Sequence, residues 1–170
     1  MNATTTLRPI TVDDEPLLYR VYASTREEEL ALVDWDAAQK EAFLEMQFRA
    51  QHQFYQEQFP EAAYDIIEVE GVPAGRLYYE ERESDVHIID IALLPDYRNR
   101  GIGSAFLETI IARGESLGLP VRIHVERFNP ALRLYLRYGF RAVADEGVYY
   151  LMERQPGSPN GTNDAQPTEE

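Results

Sequence analysis

The sequence predicts an α/β fold with a mixed central β-sheet flanked by helices, on three observations. An apolar run at 86–94, a helical stripe at 101–117 and a second apolar run at 121–126 read as strand, helix and strand. Such a unit joins two parallel strands through a right-handed crossover. Turn-bounded strand signals lie on both sides of it, at 64–70 and 75–81 before and at 141–144 and 148–153 after, so the sheet is mixed. The composition, 44% apolar and 27% charged over 170 residues, fits one compact domain at residues 1–154.

The elements follow in order. Residues 5–10 read as a first strand. Asp13, Asp14 and Pro16 then open a helix as cap and early proline, with Leu17, Leu18, Val21 and Tyr22 as its apolar stripe. A second helix starts at Asp36, with Gln39 as the capping-box partner three residues on. Phe43, Met46, Ala50 and Phe54 recur at helical spacing and read as its core face; Pro60 ends the run. Gly71-Val72-Pro73 is the turn between the next two strands. The run at 86–94 suits a strand buried on both faces. Ile102, Ala105, Phe106, Ile110 and Leu117 face inward on the long helix, and Gly118 stands past its end. Asn129, Pro130 and Gly139 frame a short helix as cap, first-turn proline and terminal glycine. From Gln155 the chain reads QPGSPNGTNDAQPTEE, which cannot offset chain entropy, so 155–170 is expected to be a disordered tail.

The absence of cysteine excludes disulfides, thiolate zinc sites and cysteine nucleophiles. No apolar run approaches the roughly 20 residues of a membrane span, and the first residues lack signal-peptide features. A cytoplasmic protein with no membrane partner is therefore expected. The net charge of −14 disfavours nucleic acid as a partner. That charge is divided: residues 1–90 carry 20 acids and 7 bases, whereas 91–154 carry 7 acids and 9 bases. Lys40 is the only lysine, and arginine forks suit fixed phosphate contacts.

The chemistry concentrates between Leu93 and Phe140. After the buried strand, Pro95-Asp96-Tyr97-Arg98-Asn99-Arg100-Gly101-Ile102-Gly103-Ser104 opens directly into the long helix. Glycines at 101 and 103 let the backbone turn tightly and approach a ligand. The helix N-terminus favours an anion, and Arg98 and Arg100 add positive charge, so the segment fits a pyrophosphate. It also fits a purely structural strand–helix turn. A Walker loop is excluded because no lysine follows the glycines. The dinucleotide fingerprint wants a small residue where Phe106 stands, although Glu126 lies at a tolerable distance for a ribose acid.

Arg98-x-x-Gly101-x-Gly103, following Ile91-Ala92-Leu93-Leu94-Pro95, resembles the cofactor loop of the GNAT superfamily of N-acetyltransferases. Asn129-Pro130-Ala131-Leu132-Arg133-Leu134-Tyr135-x-x-x-Gly139-Phe140 resembles that superfamily's second signature, in the right order and at the usual distance. The resemblance covers residues 64–154 well and the first two helices loosely. It implies acetyl-coenzyme A as co-substrate, bound where two parallel strands, 86–94 and 121–126, splay apart. Backbone groups of Ile91, Ala92 and Leu93 would pair with the pantetheine arm. Amides of Asn99, Arg100, Gly101, Ile102, Gly103 and Ser104, beside Arg98, would hold the pyrophosphate, and Asn129 would contact the cofactor or simply cap its helix.

The resemblance makes Tyr135 the candidate general acid for the departing thiolate; packing on the stripe Ala131, Leu134, Tyr135 and Tyr138 is the other reading. His124 and Glu126 share one strand face and are candidate bases, as is His87 on the neighbouring strand, with Asp90 on that strand's opposite face. A His87–His124 metal site lacks an evident third ligand, so no metal is expected. The function implied is transfer of an acetyl group to an amine acceptor, on a small molecule, protein or peptide, by a direct ternary-complex route. The alternatives are a non-catalytic acetyl-coenzyme A sensor and a dinucleotide-binding domain. A homodimer is compatible with either, and the acids of the N-terminal half suit a cationic acceptor.

Overall fold

A computed structural model describes residues 3–159. Strand β1 (Thr5–Pro9) pairs antiparallel with β2 (Ala63–Val69), from Thr5↔Val69 to Pro9↔Asp65. A one-turn 3-10 helix, Val12–Asp14, leads into α1 (Glu15–Ala31), and Asp36 opens α2 (Ala37–Gln58). Next come β3 (Val72–Glu81), β4 (Val86–Leu93), α3 (Ile102–Leu117) and β5 (Val121–Glu126). The short helix α4 (Leu132–Arg137) precedes β6 (Arg141–Asp145) and β7 (Tyr149–Arg154). The strands form one seven-stranded mixed sheet in the order β1-β2-β3-β4-β5-β7-β6.

The chain divides into two compact units. The first holds the residues up to Tyr78 together with Asp90–Gly103; the second holds Tyr79–Ile89 and the residues from Ser104 onward.

In the first unit the Asp36 carboxylate accepts from the Gln39 N–H at 2.8 Å, and the Gln39 side chain accepts from the Asp36 N–H at 3.0 Å. The capping box expected from sequence is thus closed on both sides. Helix α1 buries Leu18, Val21, Tyr22 and Leu30, whereas α2 buries Phe48, whose ring lies 5.9 Å from Tyr19 and 6.2 Å from Tyr22. This corrects the expected core face of α2: Met46, Ala50 and Phe54 are exposed and Phe43 only half-buried. Both stripes have helical spacing, and the α1 aromatics select the one that carries Phe48.

The Arg8 guanidinium donates twice to Asp14, at 2.8 Å each, and the Thr11 N–H donates to the same carboxylate at 2.7 Å. This pairing holds the Asp14 carboxyl down to about 2. The β2–β3 turn is Glu70-Gly71, both at positive φ (50° and 76°), one position before the expected turn, so Val72 and Pro73 already belong to β3. A Cβ on Gly75 would stand 2.3 Å from the Ala92 carbonyl oxygen, so that position of β3 admits only glycine.

In the second unit, β4 and β5 run parallel with Val86↔Val121, His87↔Arg122 and Ile88↔Ile123 as partners. Strand β5 also pairs antiparallel with β7, which pairs with β6 through a bulge at 142–144. Asp85 is fully buried where β4 begins; Arg82 grips it at 2.6 Å through both Nε and Nη2, and Arg122 lies at 3.3 Å. Residues 155–159, the start of the expected tail, return to α3: the Gly157 N–H donates to Glu115 Oε1 at 2.8 Å. The rest of that segment, 160–170, lies outside the described residues.

Candidate functional site

The expectation of a β4 buried on both faces holds only for its first half. Val86, His87 and Ile88 are buried, but residues 89–94 are half-buried, although all of them except Asp90 are apolar. Burial therefore stops at Ile88, the last β4 residue partnered with β5, while β4 continues to Leu93 and β5 to Glu126. In the first unit the Leu94 N–H donates to the Ala74 carbonyl at 2.8 Å. Because strand backbone groups alternate sides, the N–H groups of Ile91 and Leu93 face the edge turned away from β3.

The segment after β4 makes a 3-10 turn at Pro95–Tyr97 and then a sharp bend into α3. Asn99 and Gly101 both take left-handed φ, 61° and 77°, which turns successive N–H groups toward one side. The first amides of α3, from Ile102 through Gly103 and Ser104, have no intrahelical acceptor. Around Gly103 the nearest atom to an added Cβ is Leu93 Cδ1 at 4.0 Å, so the space beside it is open. The Arg98 Nε donates to the Leu93 carbonyl at 3.0 Å, and Nη2 donates to the Ser24 hydroxyl of α1 at 3.0 Å. Arg98 is thus a brace of the loop. The Arg100 guanidinium stacks over the Tyr97 ring at 5.4 Å, and the residue is exposed.

Behind β4, Arg76 of β3 is buried, pairs with Asp90 and donates to Gln51 of α2 at 2.9 Å. Burial opposes its charge and Asp90 restores it, so Arg76 stays protonated. Burial also pushes the Tyr78 phenol up to about 12. Asp90, placed by the sequence on the face of β4 opposite His87, is therefore an ion-pair partner.

The remaining site residues belong to the second unit. The strand alternation puts Arg122, His124 and Glu126 on one face of β5, with Val121, Ile123 and Val125 buried on the other. His124 is exposed, and its Nε2 lies 3.1 Å from Glu146 Oε2. The His87 ring stands edge-on to His124 with centroids 6.0 Å apart. His87 is buried, and desolvation, followed by the nearby Arg82 charge, lowers its pKa to about 4. The structure brings these two histidines together, and among the described residues no group of three or more potential metal ligands gathers.

Asn129 Oδ1 accepts from the Ala131 N–H at 2.9 Å, which caps the turn before α4. Tyr135 is buried and meets Phe140 edge-to-face at 5.6 Å. The Tyr138 hydroxyl donates to Glu108 at 2.6 Å, a link between α4 and α3. Gly139, at φ 87°, ends α4; there a Cβ would lie 2.6 Å from the Pro159 carbonyl oxygen.

Sequence reasoning did not find Glu146 as the neighbour of His124 or Ser24 as the neighbour of Arg98. Both partners lie far along the chain, and no local pattern marks them.

Comparison with known proteins agrees with this geometry. A family model described as Acetyltransferase (GNAT) family matches residues 27–140. Among solved structures, the PaiA N-acetyltransferase from Thermoplasma acidophilum in complex with coenzyme A is 15% identical, with a TM-score of 0.68 over 89% of this chain and 99% of that one. An acetyltransferase from Thermus thermophilus is 24% identical, with a TM-score of 0.63 over 91% and 99%. The ribosomal-protein-S18-alanine N-acetyltransferase from Escherichia coli is 21% identical, with a TM-score of 0.60 over 94% and 98%. These likenesses establish the fold. No curated protein matches. No helix among the described residues is long and apolar enough to cross a membrane.

Proposed function

The chain belongs to the acetyltransferase (GNAT) family, and from that premise we propose that it moves an acetyl group from acetyl-coenzyme A to an amine by direct attack in a ternary complex. The observation that carries the reading is the coincidence at Ile88, where the burial of β4 and its partnership with β5 stop together. Beyond that residue the N–H groups of Ile91 and Leu93 are directed to the edge away from β3, where the pantetheine amides pair with them like an added strand. The left-handed pair Asn99 and Gly101, the first amides of α3 and the exposed Arg100 suit the pyrophosphate. A relative of like fold crystallised with coenzyme A supports the choice of cofactor.

The reaction needs a neutral amine, an aligned thioester, a stabilised oxyanion and a proton for the departing sulfur. Alignment supplies much of the acceleration, because well-oriented partners act at very high effective concentration. The Leu93 N–H polarises the thioester carbonyl. As the amine nitrogen bonds to the carbonyl carbon and the C–S bond breaks, Tyr135 protonates the thiolate. His124 takes the ammonium proton, with Glu126 next to it on the same face. Two observations favour His124 over its rivals. His87 binds a proton only near pH 4 and is too weak a base at neutrality, while Asp90 is engaged by Arg76.

Thiol release from acetyl-coenzyme A tests the proposal, measured across pools of amines, polyamines, amino acids and peptides. Turnover with at least one pool is expected. Coenzyme A binding with no turnover in any pool would turn the reading toward a sensor. Binding of NAD in preference to coenzyme A would overturn the cofactor assignment.

A further inference from the structure

The second stripe of α2 is a feature of the first unit that acetyl transfer leaves without a role. At 100° per residue, Phe43, Gln47, Ala50 and Phe54 fall within about 60° of one another, whereas Phe48 points about 140° away from Phe43. Phe54 is 54% exposed, Met46 beside the stripe is 58% exposed, and Ala50 is exposed at its middle. A helix normally buries its apolar stripe; on this second one Phe43 is half-buried with its ring 5.3 Å from that of Trp35, while Ala50 and Phe54 are exposed among the described residues.

We propose that this face of α2 docks on the same face of a second copy of the chain, with the two helices antiparallel. The argument is the symmetry of the stripe. A two-fold contact is isologous, so each residue must meet its mirror position along the partner helix. Lys40 and Glu57, Phe43 and Phe54, and Gln47 and Ala50 are all symmetric about one midpoint, between Phe48 and Arg49. Antiparallel pairing therefore sets each Phe43 against the partner subunit's Phe54, and each Lys40 near the partner subunit's Glu57. The small side chain of Ala50 lies next to the two-fold axis, where the helices approach most closely. Charge and size are thus self-complementary in the antiparallel register, which Lys40 at one end and Glu57 at the other specify.

The stripe is about 26 Å long, since 17 residues separate its ends at about 1.5 Å each. One helix face of that length falls short of the roughly 800 Å² per partner of a standard interface. The expected dimer is therefore weak, with dissociation in the micromolar range. The two copies also repel through their net charge of −14, so added salt should tighten an apolar contact of this kind.

Sedimentation equilibrium of the full chain tests this between about 1 and 300 μM. The mean mass is expected to rise from 19.6 kDa toward twice that value. Ala50→Glu should remain monomeric at every concentration, with its helix content unchanged by circular dichroism. Should that variant fold poorly, the charge pair gives an independent answer. Lys40→Glu should weaken association about tenfold, and adding Glu57→Lys should restore it. A wild type that stays at monomer mass overturns the proposal, as does a dimer indifferent to Ala50→Glu and to the charge reversals. A monomeric wild type whose Ala50→Glu variant loses turnover of peptide acceptors would assign the stripe to an acceptor and overturn it equally.

Discussion

The Arg98 guanidinium donates to the Leu93 carbonyl at 3.0 Å, and this bond ties the loop before α3 to the end of the strand it leaves. With the second bond to Ser24, Arg98 closes a link from α1 through the loop to β4. Arg98 and Arg100 therefore have different work, and their replacement should differ in kind. Arg98→Gln should reduce coenzyme A affinity about tenfold or more through loss of loop order, at the scale of a charge-assisted hydrogen bond. Arg100→Gln should flatten the salt dependence of binding, because its charge faces solvent. Calorimetric titrations at two ionic strengths separate the two effects.

Gly103→Val is the cleanest probe of the proposed pyrophosphate nest. Space is open around its Cβ direction and its φ is not left-handed, so the folded chain should accept valine. The added methyls would occupy the volume through which the phosphates approach. Affinity for coenzyme A should fall strongly while the melting temperature holds. Gly101→Val is less informative, because φ 77° strains any β-branched residue there.

Tyr135→Phe keeps the edge-to-face contact with Phe140 and removes the hydroxyl. Stability should change little, and the maximal rate should drop about a hundredfold or more. The loss should shrink for an acyl donor whose leaving thiolate is less basic, since such a group needs less protonation. A rate unchanged with a rapid acceptor would return Tyr135 to packing alone.

His87 links protonation to folding. The unfolded chain protonates a histidine near pH 6.5, but the folded protein protonates His87 only near pH 4. Between those values the unfolded state binds more protons, so stability falls as pH drops from 6.5 toward 4, by about 3 kcal/mol. Urea midpoints at pH 7 and pH 4.5 measure this loss. His87→Gln should narrow the gap between them.

The acids at the end of α1 bear on the acceptor. Glu27, Glu28 and Glu29 are exposed on its last turns, with Asp34 and Asp36 exposed just beyond. A cationic acceptor drawn by this field should show kcat/KM falling as salt rises. Glu-to-Gln changes at 27–29 should blunt that slope without altering kcat. A neutral or acidic best acceptor would leave these residues as solvated surface.

What the sequence made legible was local. The Asp36–Gln39 box, the positive-φ glycines at 101, 118 and 139, and the span of β5 depend on neighbours a few residues away. The loop before α3 was legible for the same reason. The buried side of α2 was not, because two stripes share its period and only the packing of Phe48 on Tyr19 and Tyr22 decides between them. The half-burial of β4 beyond Ile88 was equally hidden, since an apolar run reads alike whether or not a neighbouring strand covers it. The base candidates separate only through electrostatics: desolvation disarms His87, and Arg76 engages Asp90.

The parallel pairing of Val86 with Val121 has a consequence for how the molecule reaches its native state. Antiparallel strands joined by a tight turn, such as β2 and β3, zip from that turn. The β4–β5 pair has no turn to zip from, because the chain between its first partners contains all of α3 and must be brought round before any ladder forms. Loop closure of that length costs entropy that only completed contacts return. Completion of the sheet should therefore wait on α3, and a growing chain on the ribosome cannot form the β4–β5 ladder until β5 has emerged.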